Sequence, residues 1–269
     1  GSTRLNQPLV SFTSTPVRRL RQLLSERKER YESGCFVVEG PTLVQAALDA
    51  GLELIEQFVC EGASPCVAPG EVHFMSQNTL ERVSTTVTPQ KVLGVFAMQT
   101  PDLSALVAMS PMHSSQAQWI LVADRVADPG NLGTMIRSAV AAGASAVVLT
   151  PGTVDPYSPK VVRAAAGAIF SSVVFSSVSL SQLAEMKWPL LGTTSHEKLS
   201  PLAYDEVVLS SGIALVMGNE AAGIALDQPI SQWITIPHHG PVESLNVAMA
   251  TTVLCFEVAR QRKHHASGA

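Results

Sequence analysis

Beyond residue 118 the chain repeats one pattern: a short, largely apolar run, a polar loop, then a helix. The runs fall at 119–123, 146–149, 173–175, 190–193, 213–217 and 233–236. A strand without polar alternation is covered on both faces, and strands that alternate with helices pair in parallel beneath them. The pattern therefore predicts an α/β domain built on a parallel sheet. Ligands of such sheets bind outside the carboxyl ends of the strands, where the loops converge.

Three of these loops are rich in polar groups. The first, 128–137, reads Asp-Pro-Gly-Asn-Leu-Gly-Thr-Met-Ile-Arg. Asn131 can cap the helix that follows, and Arg137 lies nearly two turns further on, roughly on the face of the helix start. Ile136, Ala139 and Val140 beside it predict a partly buried arginine, of the kind that binds carboxylate or phosphate; an ion pair on a helix surface is the plainer alternative. The second loop passes from the strand end at Met217 to Gly218, Asn219 and Glu220. Glu220 either accepts from loop N–H groups or pairs with a cation such as Arg137. The third, 236–246, leads into an apolar helix from Val247 to about Arg260, which is buried or meets a partner. Ser244 and Asn246 serve there as helix caps or as contacts to ribose or phosphate. His238 and His239 are neighbours in an extended segment, so their side chains diverge. No Cys or carboxylate accompanies them at metal-ligand spacing, and no metal is expected.

The first hundred residues read as a separate unit. Thr15-Pro16 starts a helix predicted to reach about Tyr31. Short strands and helices then alternate as far as Met98, which gives a small α/β/α sandwich. Residues 101–117, with Pro101 and Pro111, read as a linker whose middle can pack as a short helix. The expected division is 1–100, 101–117 and 118–269. Residues 1–34 carry a net charge of +4 against −8 for the rest, so basic charge gathers at the N-terminus. Such a cluster is either a solvated helix face or a phosphate-contacting one. There is no run of eighteen apolar residues, so no membrane span is expected. Cys35, Cys60, Cys66 and Cys255 form no Cys-x-x-Cys pair, which points to a reducing, cytoplasmic compartment.

Asn131-Leu-Gly-Thr-Met-Ile-Arg137, Gly218-Asn-Glu-Ala-Ala-Gly223 and Ile236-Pro…Gly240…Ser244-Leu-Asn-Val247 resemble, in order and at the expected spacing, the three motifs of the SpoU (TrmH-type) RNA ribose 2′-O-methyltransferases of the SPOUT superfamily. The likeness covers about residues 118–262. The earlier part is similar to that family's substrate-binding domain, most visibly at Arg30 and Phe36-Val-Val-Glu-Gly40. The resemblance implies a deep C-terminal trefoil knot, in which the last helix threads a loop, and a homodimer packed through the knotted domains. It implies S-adenosylmethionine held by Gly218, Ile236 and Leu245, with Met217, Glu220 and Ser244 close by. It implies methyl transfer to a ribose 2′-hydroxyl of RNA, ribosomal RNA of the large subunit first and transfer RNA second. Arg137 is expected to act from the partner subunit, with Asn131, Glu220, Ser244 and Asn246 orienting it and the ribose. A guanidinium keeps its proton, so an electrostatic role suits Arg137 better than that of a base. RNA contact is expected from Arg18, Arg19, Arg27 and Arg30. His238-His239 departs from the more usual Met-x after Ile-Pro, and Ala248 stands where a serine is common.

Two rival classes remain. A catalytically inactive RNA-binding relative is disfavoured by the presence of Arg137, Glu220, Ser244 and Asn246. A nucleotide-cofactor oxidoreductase lacks its fingerprint, because Gly130 and Gly133 have no third glycine.

Overall fold

Val17, Leu20, Leu23 and Leu24 recur at helical spacing and bury one side of helix α1 (Thr15–Ser25). In the computed structural model, which describes residues 8 to 267, they pack on a four-stranded sheet. That sheet comprises β1 (Cys35–Glu39), β2 (Leu54–Cys60), β3 (Glu71–Met75) and β4 (Val92–Ala97) in the order β1-β4-β2-β3. Only β2 and β3 pair in parallel. Helices α2 (Arg27–Ser33), α3 (Pro41–Asp49) and α4 (Gln77–Val83) complete this part. Arg4, counted in the basic cluster, lies outside the described residues.

The single helix expected from Thr15 to Tyr31 is broken. Glu26 is extended, with φ −121° and ψ 112°, and separates α1 from α2. The break turns Arg30 inward. Its guanidinium donates to the carbonyl of Leu23 at 2.8 Å, one of those left open at the end of α1. It also donates twice to Asp155 Oδ2, at 2.9 and 2.7 Å. Arg30 is 4 % exposed, so it does not contact RNA as its place in the basic cluster suggested. A buried charge persists only when it is paired, and Asp155 is its partner.

The chain forms two compact units, and the second begins earlier than composition placed it and lacks an internal segment. Unit one comprises 1–99 together with Asp155–Phe170, and unit two comprises Thr100–Val154 and Ser171–Ala269. The transferred segment carries α7 (Pro159–Ala165), and its Phe170 and Tyr157 rings pack around Phe36. Arg163 also reaches Glu39 at 2.9 Å.

Unit two is the expected α/β domain. Its strands are β5 (Trp119–Ala123), β6 (Ala146–Leu149), β7 (Val174–Phe175), β8 (Leu190–Thr193), β9 (Leu202–Ala203), β10 (Ile213–Met217) and β11 (Gln232–Thr235). They form one parallel sheet in the order β7-β6-β5-β10-β8-β11-β9. Every residue of β5, β6 and β10 is buried, which is why these runs show no polar alternation. Its helices are α5 (Leu103–Met109), α6 (Pro129–Ala142), α9 (Leu180–Glu185) and α10 (Val247–Ser267), while α8 (Ala168–Ser171) falls in unit one but for its last residue. Leu106 of α5 is fully buried, so the middle of the expected linker is part of this core. Among the described residues no helix is long and apolar enough to cross a membrane.

Candidate active site

The three polar loops follow β5, β10 and β11, and β8 lies between the last two in the sheet. Parallel pairing puts all four carboxyl ends on one edge. There a cavity of about 300 Å3 opens, lined by Met217, Gly218, Glu220, Ile236, Ser244 and Leu245 among others. Every residue assigned to the cofactor from its motif thus borders one cavity. Thr193, at the end of β8, and Thr194, Ser195 and His196 after it border it too. They were missed because no motif marks them, although their position beyond an apolar strand was a signal.

Glu220 ties the first loop to the second. Its carboxylate accepts from the N–H of Asp128 at 2.9 Å, the N–H of Ala127 at 3.1 Å and the Asn131 amide at 3.4 Å. Of its two possible roles, accepting from loop N–H groups is the one seen. Burial works against its ionisation, but these donors outweigh that effect and hold its pKa below the ordinary 4.5. With the folded value below the unfolded one, the ordering Glu220 supplies is complete above the ordinary value. It is lost as pH falls through the lowered one. Cofactor affinity measured by calorimetry should hold from neutral pH to about 5 and fall below the carboxylate range; the fall should vanish in Glu220→Gln.

Asp128, rather than Asn131, caps α6, accepting from the Asn131 N–H at 2.8 Å. Asn131 instead receives the Asn246 side-chain amide at 3.2 Å, which links loop one to loop three. Asn246 caps α10 by accepting from Ala248 and Met249, while Ser244 stays in the exposed loop. Helix α10 then lies along α6, where Ser138 and Thr252 share a 2.6 Å hydrogen bond.

Arg125 is a further latch that the sequence did not reveal. It holds φ 55°, a left-handed backbone that costs an L-residue about 1 kcal/mol. Its guanidinium donates to the Gly223 carbonyl at 2.6 Å, and its own carbonyl accepts from Asn219 at 2.7 Å. Gly218 is required for space: a Cβ there would sit 2.6 Å from the Gly223 carbonyl carbon and 2.7 Å from the Ile224 nitrogen. Gly218→Ala should therefore displace the loop and weaken cofactor binding at least tenfold by calorimetry, about 1.4 kcal/mol, with the thermal transition of the sheet largely kept.

Arg137 is exposed, not partly buried, and its guanidinium makes no hydrogen bond or ion pair among the described residues. It does not border the cavity of its own chain. Helical periodicity buries Ile136 and Ala139 and turns Arg137 outward. His238 and His239 are both exposed, and His238 borders the cavity.

Loops from a parallel sheet with a fully buried centre, knitted by side-chain latches beside a cavity with apolar walls and hydroxyl and amide edges, define an α/β site for a small cofactor. The particular family follows from comparison with known proteins: this chain belongs to the SpoU rRNA Methylase family, whose model matches residues 118–256. Residues 15–94 match the MRM3-like substrate binding domain. The 23S rRNA (guanosine(2553)-2′-O)-methyltransferase RlmP of Bacillus subtilis is 33 % identical over 240 residues, covering 87 % of this chain and 92 % of that one. The structure of an AdoMet-bound rRNA methyltransferase from Sinorhizobium meliloti superposes with a TM-score of 0.81 at 29 % identity, over 94 % of this chain and 97 % of that one. Another, an RNA 2′-O ribose methyltransferase, does so with a TM-score of 0.77 at 31 % identity, over 95 % and 99 %.

Proposed function

We propose that this protein transfers the methyl group of S-adenosylmethionine to a ribose 2′-hydroxyl of RNA, with large-subunit ribosomal RNA as the substrate. The observation that carries the reading is one cavity at the carboxyl edge of the sheet lined by the second and third motif loops, with the first loop tied to both through Glu220 and Asn131. The lining suits this cofactor: Met217, Ile224, Ile236 and Leu245 offer apolar walls, and loop backbone and Ser244 offer polar edges. The Glu220 carboxylate is already engaged by N–H groups. Met217, Gly218, Ile236, Ser244 and Leu245 would hold it. When bound, S-adenosylmethionine supplies an electrophilic methyl group.

The protein's own task is to bring a ribose hydroxyl to that methyl and stabilise its oxygen as it loses a proton. Arg137 does this as a fixed positive charge that clamps the adjoining phosphate. Asn131, Glu220 and Asn246, joined by hydrogen bonds, fix the start of α6 from which Arg137 projects. Because Arg137 turns away from its own cavity, the site is completed by a second copy. A homodimer through α6 and α10 is supported by Met249, Val253 and Phe256, which form an exposed apolar stripe on α10. The knotted passage of α10 and a cytoplasmic setting belong to the same reading, as does a division of labour in which unit one grips RNA. Incubation with methyl-labelled S-adenosylmethionine and total bacterial RNA, followed by mapping, tests it. Label on a ribose of 23S rRNA is expected; label on transfer RNA alone would move the substrate, and no label in any RNA would refute the activity.

A further inference from the structure

The basic cluster of the N-terminus is not one surface. Arg19 pairs with Glu56, Lys28 with Glu32, and Arg30 with Asp155. Arg27 lies over the Tyr31 ring at 5.2 Å. Arg18 and Arg21 are left, both exposed and without a carboxylate partner among the described residues. They face a groove of about 420 Å3 between the end of α1 and the end of α4, and Arg82 of α4 borders the same groove. One acid, Glu26, shares the lining. Arg82 lies more than fifty residues from the cluster, and only the fold brings it there.

Two of the three guanidinium groups are held in place. Arg21 lies 3.9 Å and Arg82 3.6 Å from the centroid of one ring, Phe12. Stacking on a ring orients a guanidinium while leaving its in-plane N–H donors free. Like charges gathered on one aromatic side chain repel each other, and an anion between them relieves that repulsion. Planar, fixed donor forks match phosphate oxygens. The groove is concave, which favours a chain of phosphates over a single surface ion.

We propose that Arg18, Arg21 and Arg82, ordered by Phe12, form a phosphodiester-binding groove through which unit one grips its RNA. This rests on the RNA reading above and adds the place of contact. It also shifts the expected RNA contacts: Arg18 stays, Arg19 and Arg30 are committed to carboxylates, and Arg21 and Arg82 enter.

The test is anisotropy titration of the full-length protein with a labelled fragment of 23S rRNA at several KCl concentrations, beside calorimetry with S-adenosylmethionine. Arg21→Gln/Arg82→Gln alters only exposed side chains. It should weaken RNA binding at least tenfold and flatten the log–log salt slope by about 1.4 to 1.8, or 0.7 to 0.9 per phosphate contact, with cofactor binding unchanged. Phe12→Leu keeps the charges and should weaken binding several-fold with the slope retained. If wild-type protein binds the RNA and the double variant binds it equally well with the same slope, the groove is overturned and the RNA reading stands. If wild-type protein neither binds nor methylates RNA, both fall. Polyglutamate of matched charge that binds wild type as tightly as RNA does would point to an acidic protein partner and overturn the proposal.

Discussion

Arg137→Ala should lower kcat by at least about a hundredfold, the effect of removing one fixed donor at a developing oxyanion, while S-adenosylmethionine affinity stays near wild type. The separation follows from position, because Arg137 does not border the cofactor cavity of its own chain, and its guanidinium makes no bond that the loops depend on. The trans arrangement gives a sharper test. Arg137→Ala keeps an intact cofactor cavity, and Gly218→Ala keeps an intact arginine. If the two sites of a dimer each borrow Arg137 from the other copy, equal mixing of the two weak variants should restore about a quarter of wild-type activity, since half the dimers are mixed and each has one complete site. No recovery after subunit exchange, checked by light scattering on the mixture, would place Arg137 in its own chain's reaction or outside it.

The second large effect concerns stability. Asp155 accepts four hydrogen bonds: two from Arg30, one from the Tyr31 hydroxyl at 2.8 Å and one from the Tyr157 N–H at 3.1 Å. Arg30 and Asp155 side chains are only 5 % and 6 % exposed. Asp155→Ala would leave the guanidinium buried without a counter-charge, a loss of about 3 to 5 kcal/mol. Urea denaturation should show it as a lower midpoint. Asp155→Asn keeps an acceptor and should cost less. The double variant Arg30→Met/Asp155→Ala should recover part of the loss, because the destabilisation comes from the orphaned charge more than from the missing pair. A double variant no better than Asp155→Ala would refute that account.

The parallel sheet was legible because its central strands are buried on both faces, and burial writes itself into sequence as unbroken apolar runs; the two-residue edge strand β9, partly exposed, left no such mark. The three loops were legible because their motifs are contiguous. The Arg30–Asp155 bond was not, since its partners lie 125 residues apart. Nor was the attachment of 155–170 to the first unit, which rests on the rings of Phe36, Tyr157 and Phe170 meeting in space. Arg125 looked ordinary because neither a left-handed φ nor a carbonyl at Gly223 is visible in its neighbours.

The sequence by itself determined the class of fold, the family and the identity of the loops that converge. Tertiary structure decided which charges are available. Six basic residues between Arg18 and Arg30 are equivalent by spacing, yet three are paired with carboxylates, one lies over a tyrosine, and two join Arg82 at a groove. The physical reason is that hydrophobic patterning is local and periodic, whereas the fate of a charge depends on whichever opposite charge or ring the folded chain brings within a few ångströms.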